Sequence, residues 1–159
     1  MKSIYILVLA IFTTFSYGQE IPNLTIKDID GETTTTEKLL EGDNVKIISF
    51  WATWCVPCIN ELDAIEEVYE DWQDETGVEV IAVATDDART KKRVQPLVNG
   101  KDWSYKILMD ENQDFKRALN INVLPYVVVI KDGEIIHTRT GYTPGSEEEL
   151  YEIVKEHSK

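Results

Sequence analysis

Between Ile47 and Ala88 the chain has no Lys and no Arg. Eleven acids fall in that stretch: Glu61, Asp63, Glu66, Glu67, Glu70, Asp71, Asp74, Glu75, Glu79, Asp86 and Asp87. The whole chain carries a net charge of −13. Such a field repels nucleic acid and anionic membrane surfaces, so neither is expected as a partner. The acidic block reads as a solvated helix face kept soluble by its charge, with steering of basic partners as the lesser alternative. Histidine is scarce as well. His137 and His157 are the only two, and with a single cysteine pair they do not supply four zinc ligands by local spacing. His137 is expected to be an ordinary strand residue.

Long hydrophobic runs are missing apart from Ile4–Phe12. That run is too short for a bilayer, which takes about 20 residues. Lys2 before it and Ser16-Tyr17-Gly18 after it give the pattern of a secretory signal, so residues 1–18 are expected to be a signal peptide. No cysteine follows Gly18, which speaks against a lipid-anchored start. Beyond it there are no repeats, low-complexity tracts or Pro/Gly-rich linkers, and residues 19–159 are expected to form one domain. A domain of that size buries roughly two-thirds of its unfolded surface and needs no covalent staple. The pair Cys55 and Cys58 is the whole cysteine complement, too small for a disulfide-dependent scaffold.

What is present is an alternation of strand and helix patterns. Asp30-Gly31 suits a hairpin turn between two short strands, Thr36 can cap a short helix through Leu40, and Gly42 can end it. Val45–Trp51 is a buried-strand run. From Pro57 the period changes: Cys58, Leu62, Ile65, Tyr69 and Trp72 recur at spacings of three and four, predicting an amphipathic helix that ends near Gly77. Val78–Ala84 is a second buried strand, followed by a helix over 88–99, a strand over 105–109 and a helix over 112–119. A hairpin then turns at Asp132-Gly133, and a last helix starts at Ser146 with Glu149 completing a capping box. Tyr142 is expected to pack the turn into that helix. The pattern predicts an α/β fold with a central mixed sheet covered on both faces.

The cysteines sit where the strand pattern gives way to the helix pattern. Cys55 therefore falls at a helix N-terminus, where unpaired N–H groups and the positive dipole end stabilise a thiolate. Pro57 fits the first turn, and Cys58 lies one turn on. This makes Cys55 an exposed nucleophile and Cys58 the resolving thiol behind it. A structural bridge across two residues would constrain the unfolded chain only weakly. A redox pair is the better account.

FWATWCVPC, with Glu61 three residues after Cys58, resembles the thioredoxin fold and, within it, the TlpA/ResA-like extracytoplasmic thiol-disulfide oxidoreductases. The resemblance covers nearly all of residues 20–157. It takes in the front hairpin LTIKDIDGET, an inserted helix-strand unit before the closing hairpin, and LPYVVVIKDGEII. It implies that Cys55 attacks, Cys58 resolves, and Glu61 passes protons to and from the thiols. It implies a cis Leu124-Pro125 bond beside the sulfurs, with Pro125 preventing metal capture and shaping the groove for substrate backbone. Trp54, Val56, Pro57, Leu124 and Pro125 would contact substrate. It also implies a periplasmic setting, no bound cofactor beyond the cysteine pair, disulfide-bearing protein substrates such as apocytochrome c, a membrane thiol electron donor, and a monomer.

Several residues qualify that picture. Glu61 is also explained as a first-turn acid favoured by the dipole. Thioredoxins proper have a buried Asp where this chain has Ser49, which leaves Glu61 as the acid placed for proton transfer. Asp63 stands where the family has a helix-kinking proline, so a straighter helix with that acid near the surface is expected. Leu124 alters side-chain preference before the cis-proline. Trp54 is expected at the surface and Trp51 in the core. A thiol peroxidase on the same fold would need a Thr three residues before the reactive cysteine, and Thr53 is two before. A copper chaperone would need a histidine near NINVLPY, which has none. The direction of electron flow stays open.

Overall fold

The computed structural model describes residues 21–158, so the expected signal segment lies outside the described residues. Strands β1 (Thr25–Asp28) and β2 (Thr33–Thr35) form the front hairpin. Asp28 Oδ1 accepts the amides of Asp30 and Glu32, closing the turn that Gly31 enters at φ 87°. Helix α1 (Thr36–Leu39) is capped by Thr35, whose hydroxyl accepts from Lys38 N, rather than by Thr36. Thr36 is buried, and its Oγ1 instead donates to Pro22 O and accepts from Leu24 N, tying the incoming segment down.

Strand β3 (Lys46–Trp51) is buried along its whole length. It pairs in parallel with β4 (Glu79–Ala84), which pairs in parallel with β5 (Lys106–Met109). On the other side β3 pairs antiparallel with β6 (Tyr126–Lys131), and β6 with β7 (Glu134–Thr140). The front hairpin joins through β1 and β5, giving one seven-stranded mixed sheet in the order β2-β1-β5-β4-β3-β6-β7.

Strand alternation sorts the side chains of β3 to two faces. Ile47 and Trp51 belong to a core shared with α2 (Val56–Thr76), α3 (Val94–Asn99) and α5 (Ser146–His157). Ile48 and Phe50 belong to a second core, where Phe50 packs edge-on against Phe115 of α4 (Asp114–Ala118) with ring centroids 5.1 Å apart. Trp51 is buried, as its size favours, and meets Trp103 edge-on at 5.2 Å.

Helix α2 runs unbroken for 21 residues and stops at Gly77, whose left-handed φ of 69° ends it. The five apolar positions predicted to face the core are buried, and Glu61 is buried with them. The helix expected over 88–99 divides into a 3-10 turn at Lys91–Arg93 and α3, where Pro96 falls in the first turn and breaks no hydrogen bond. Helix α5 is capped by Gly145, not Ser146. Ser146 Oγ bonds to Thr143 instead, and Glu147, not Glu149, accepts the Gly145 amide. Among the described residues no helix is long and apolar enough to cross a membrane.

Candidate active site

Cys55 is the N-cap of α2, in extended conformation and without a side-chain capping bond. Its sulfur occupies the place from which a Ser or Asp would accept a first-turn amide. No acid stands in that first turn, and Pro57 fits there because the amide proton it lacks has no helical partner. A thiolate at Cys55 therefore meets the positive end of the helix without a local rival. Cys55 and Cys58 form a disulfide with Cα atoms 5.3 Å apart. Cys55 is less exposed than its expected role as an exposed nucleophile implies, at 6%, while Cys58 is fully buried.

The surface around that disulfide is apolar. Trp54 is 59% exposed and Val56 65%, and they flank Cys55 on either side in sequence. Pro57 is exposed beside them. The Leu124-Pro125 bond is cis, as the resemblance implied. Tyr126 pairs with Phe50, so Pro125 stands at the end of β3 from which the cysteine loop leaves. Leu124 is partly buried and packs on the core that holds both cysteines. Val123, 57% exposed, is a further exposed apolar side chain, on the loop that carries the cis bond. Sequence reasoning missed it, although it directly precedes the Leu-Pro pair.

Two of the eleven clustered acids are fully buried, Glu61 and Asp86, and each bears on the cysteine loop. Asp86 accepts the Thr53 amide at 2.8 Å and the Thr53 hydroxyl at 2.6 Å, pinning the loop two residues before Cys55. Trp51 pairs with Ala84 in the parallel β3–β4 ladder, which sets Thr53 opposite Asp86 two residues past each strand end.

Glu61 lies in the second turn of α2, so the first-turn explanation of this acid does not hold. It is fully buried, three residues on from the equally buried Cys58. Ser49 Oγ donates to Oε2 at 3.0 Å, and Arg139 Nη2 donates to Oε1 at 2.6 Å. Arg139 Nη1 also donates to Ser146 O. The sheet register accounts for this meeting. Ser49 pairs with Val127, and Val127 with Arg139, so the two donors stand in one row across three strands beneath α2. Neighbouring strands lie about 4.8 Å apart, and the long Arg side chain covers the interval. Burial pushes the Glu61 carboxyl up from its ordinary range, Arg139 and Ser49 pull it back, and Glu147 adds a smaller upward push. Tyr142 donates to Glu147 Oε2 at 3.1 Å and so joins this network rather than only packing the turn.

Asp63 is half-buried and bridges α2 to the loop before β5. It accepts Lys101 Nζ at 2.5 Å and Trp103 Nε1 at 3.0 Å, and the helix passes it without interruption. Among the described residues no group of three or more His, Cys, Asp or Glu is placed to hold a metal ion.

Residues 17–139 match the AhpC/TSA family. The chain is 33% identical over 140 residues to the thiol-disulfide oxidoreductase ResA of Halalkalibacterium halodurans, covering 87% of this chain and 77% of that protein. A solved thioredoxin-like protein from Porphyromonas gingivalis is 47% identical, with a TM-score of 0.76 over 87% of this chain and 91% of that one. StoA from Bacillus subtilis, at 19% identity, shares the fold with a TM-score of 0.66 over 83% of this chain and 97% of its own. With a cysteine pair joined at the start of α2 on this sheet, the chain belongs to the AhpC/TSA family and is a thioredoxin-like thiol-disulfide oxidoreductase related to ResA, acting on disulfide-bearing substrates.

Proposed function

We propose that the protein is an exported disulfide reductase in which Cys55 is the nucleophile and Cys58 the resolving thiol. In the reduced form the Cys55 thiolate attacks one sulfur of a substrate disulfide, and the other leaves as a thiolate. Cys58 then loses its proton to the Glu61 carboxylate and attacks Cys55. The substrate's second sulfur is released, and the Cys55–Cys58 disulfide forms. Two electrons pass to the substrate, and the proton on Glu61 goes to a departing thiolate. Trp54, Val56, Pro57, Leu124 and Pro125 form the docking surface for the substrate chain.

The observation that supports this most directly is the disulfide at the N-cap of α2, ringed by exposed apolar side chains. Residues 1–18 act as the export signal and residues 19–159 as the working domain, a monomer in the periplasm. A membrane thiol carrier resupplies electrons, and apocytochrome c cysteines are one substrate class.

The test has two parts. Cys58→Ser should accumulate a mixed disulfide with substrate through Cys55, seen by mass spectrometry, while Cys55→Ser should not. The potential of the pair should then be fixed against thiol–disulfide buffers. A value near −270 mV, like that of thioredoxin, supports a reductant, and one near −120 mV means an oxidant and reverses the direction.

A further inference from the structure

We propose that Arg139 is a positioning residue for the exchange reaction: it holds and orients the Glu61 carboxylate behind Cys58, so that this carboxylate takes the Cys58 proton when the mixed disulfide is resolved. The inference rests on the dithiol-exchange reading above.

A fully buried carboxylate one helical turn from a fully buried thiol has no water to keep it charged. Residues three apart on a helix are side-by-side neighbours, so Glu61 is the group best placed to receive the Cys58 proton. What it lacks on its own helix is a counter-charge, since α2 carries no Lys or Arg. The groups that face it come from every element packed around it. Ser49 of β3 supplies a neutral hydrogen bond. Glu147 of α5 adds a negative charge and itself accepts a hydrogen bond from the Tyr142 hydroxyl, and Tyr105 points its hydroxyl at the neighbouring Leu62 carbonyl. Arg139 of β7 is the cation in this set, and it ion-pairs with Oε1 at 2.6 Å while only 13% exposed.

The same guanidinium is anchored at its far side by the Ser146 carbonyl at the start of α5. Its Nε has no hydrogen-bond partner among the described residues, so the side chain is not placed there to satisfy its own donors. An exposed position on β7 would hydrate this cation at lower cost. Its inward face, in the row of Ser49, makes sense if Glu61 must stay a charged acceptor through repeated cycles.

The atoms balance. Cys58 gives its proton to Glu61, and the resulting thiolate forms the bond to Cys55. The bond between Cys55 and the substrate sulfur breaks, with the electron pair leaving on the substrate thiolate. That thiolate then receives the proton. Arg139 exchanges nothing; it sets the position and the charge of the acceptor.

The test is the pH dependence of single-turnover disulfide reduction by the reduced protein, with insulin as the disulfide. Arg139→Gln should move the limb assigned to Glu61 to higher pH by about one unit or more, since a close opposite charge holds a carboxyl down by roughly 1–3 units. Arg139→Lys should give a smaller move, because the ammonium keeps the charge but loses the two-sided hold. Glu61→Gln should abolish the limb, and adding Arg139→Gln to it should shift nothing further. A folded Arg139→Gln protein with the wild-type profile overturns the proposal, as does an equal shift in the Glu61→Gln background. If Arg139→Gln does not fold, an unchanged limb in Arg139→Lys overturns it. A wild-type profile in Glu61→Gln, or no mixed disulfide with Cys58→Ser, overturns the underlying reading whatever Arg139 does.

Discussion

On the outer side of the disulfide, Trp54, Val56 and Val123 place apolar side chains in solvent. On its inner side, Glu61 and Arg139 place opposite charges in a core of Leu62, Ile65 and Val127. Each region reverses the ordinary sorting of side chains, and the two reversals have different physical standing. The rim leaves apolar area unburied, which forgoes a favourable term but strains nothing. The inner pair is held only by mutual compensation, because each charge is costly without the other. The rim is therefore tolerant of substitution, whereas the pocket is all-or-none.

The largest expected effect breaks the inner region alone. Arg139→Met leaves Glu61 buried without its cation and should cost about 3–5 kcal/mol in urea unfolding. The double variant Glu61→Gln/Arg139→Met should regain most of that loss, since no buried charge remains. Additive losses in the pair would mean that the two side chains act separately and that the contrast with the rim is false.

A smaller loss is expected just upstream of Cys55. Thr53→Val removes the hydroxyl that bonds Asp86 at 2.6 Å and leaves a buried oxygen short of a donor, for about 1–3 kcal/mol by denaturant midpoint. Stability unchanged in this variant would show that the backbone amide of Thr53 alone satisfies Asp86.

The pH dependence of stability sharpens the comparison further, because the rim carries no titrating group. Burial raises the folded-state pKa of Glu61 above its ordinary 4.5 despite Arg139. The protonated form is thus more favoured in the folded protein than in the unfolded chain. That contribution is fully present below 4.5 and is lost as pH rises through the higher folded-state value. The stability difference between wild type and Glu61→Gln should fall as pH rises above 4.5, by at most about 1.4 kcal/mol per pH unit, and level off once Glu61 is ionised in both states. A flat difference would place the Glu61 carboxyl at its ordinary pKa.

The smallest effect on stability belongs to the rim. Trp54→Ala should change unfolding free energy by no more than about 0.5 kcal/mol. It should nonetheless slow exchange with protein disulfides while leaving exchange with a small disulfide reagent nearly intact. Equal slowing of both would move Trp54 from docking into the chemistry at Cys55.

Legibility followed the range of the interactions. The β3 run, the three-and-four spacing from Cys58 to Trp72, the Asp132-Gly133 hairpin turn and the Gly77 stop are all local signals, and each element formed where expected. The cap of α5 was misplaced because Ser146 had a nearer partner in Thr143, and cap choice depends on the entering turn. The relative exposure of the two sulfurs had the right order, but Cys55 proved nearly covered. Glu61 was singled out beside the cysteines, yet its burial and its partner were not visible. Arg139 lies 78 residues away, and no spacing rule spans that distance.

By itself the sequence determined the alternation of strands and helices and the placement of both cysteines at the strand-to-helix switch. Those follow from side-chain periodicity and backbone preference, which act over a few residues. Only the tertiary structure decided which two of eleven acids are buried, and which cation meets one of them. Burial and ion pairing depend on strand register across β3, β6 and β7 and on the helix laid over them. Those are distances in space that exist only once the sheet is assembled.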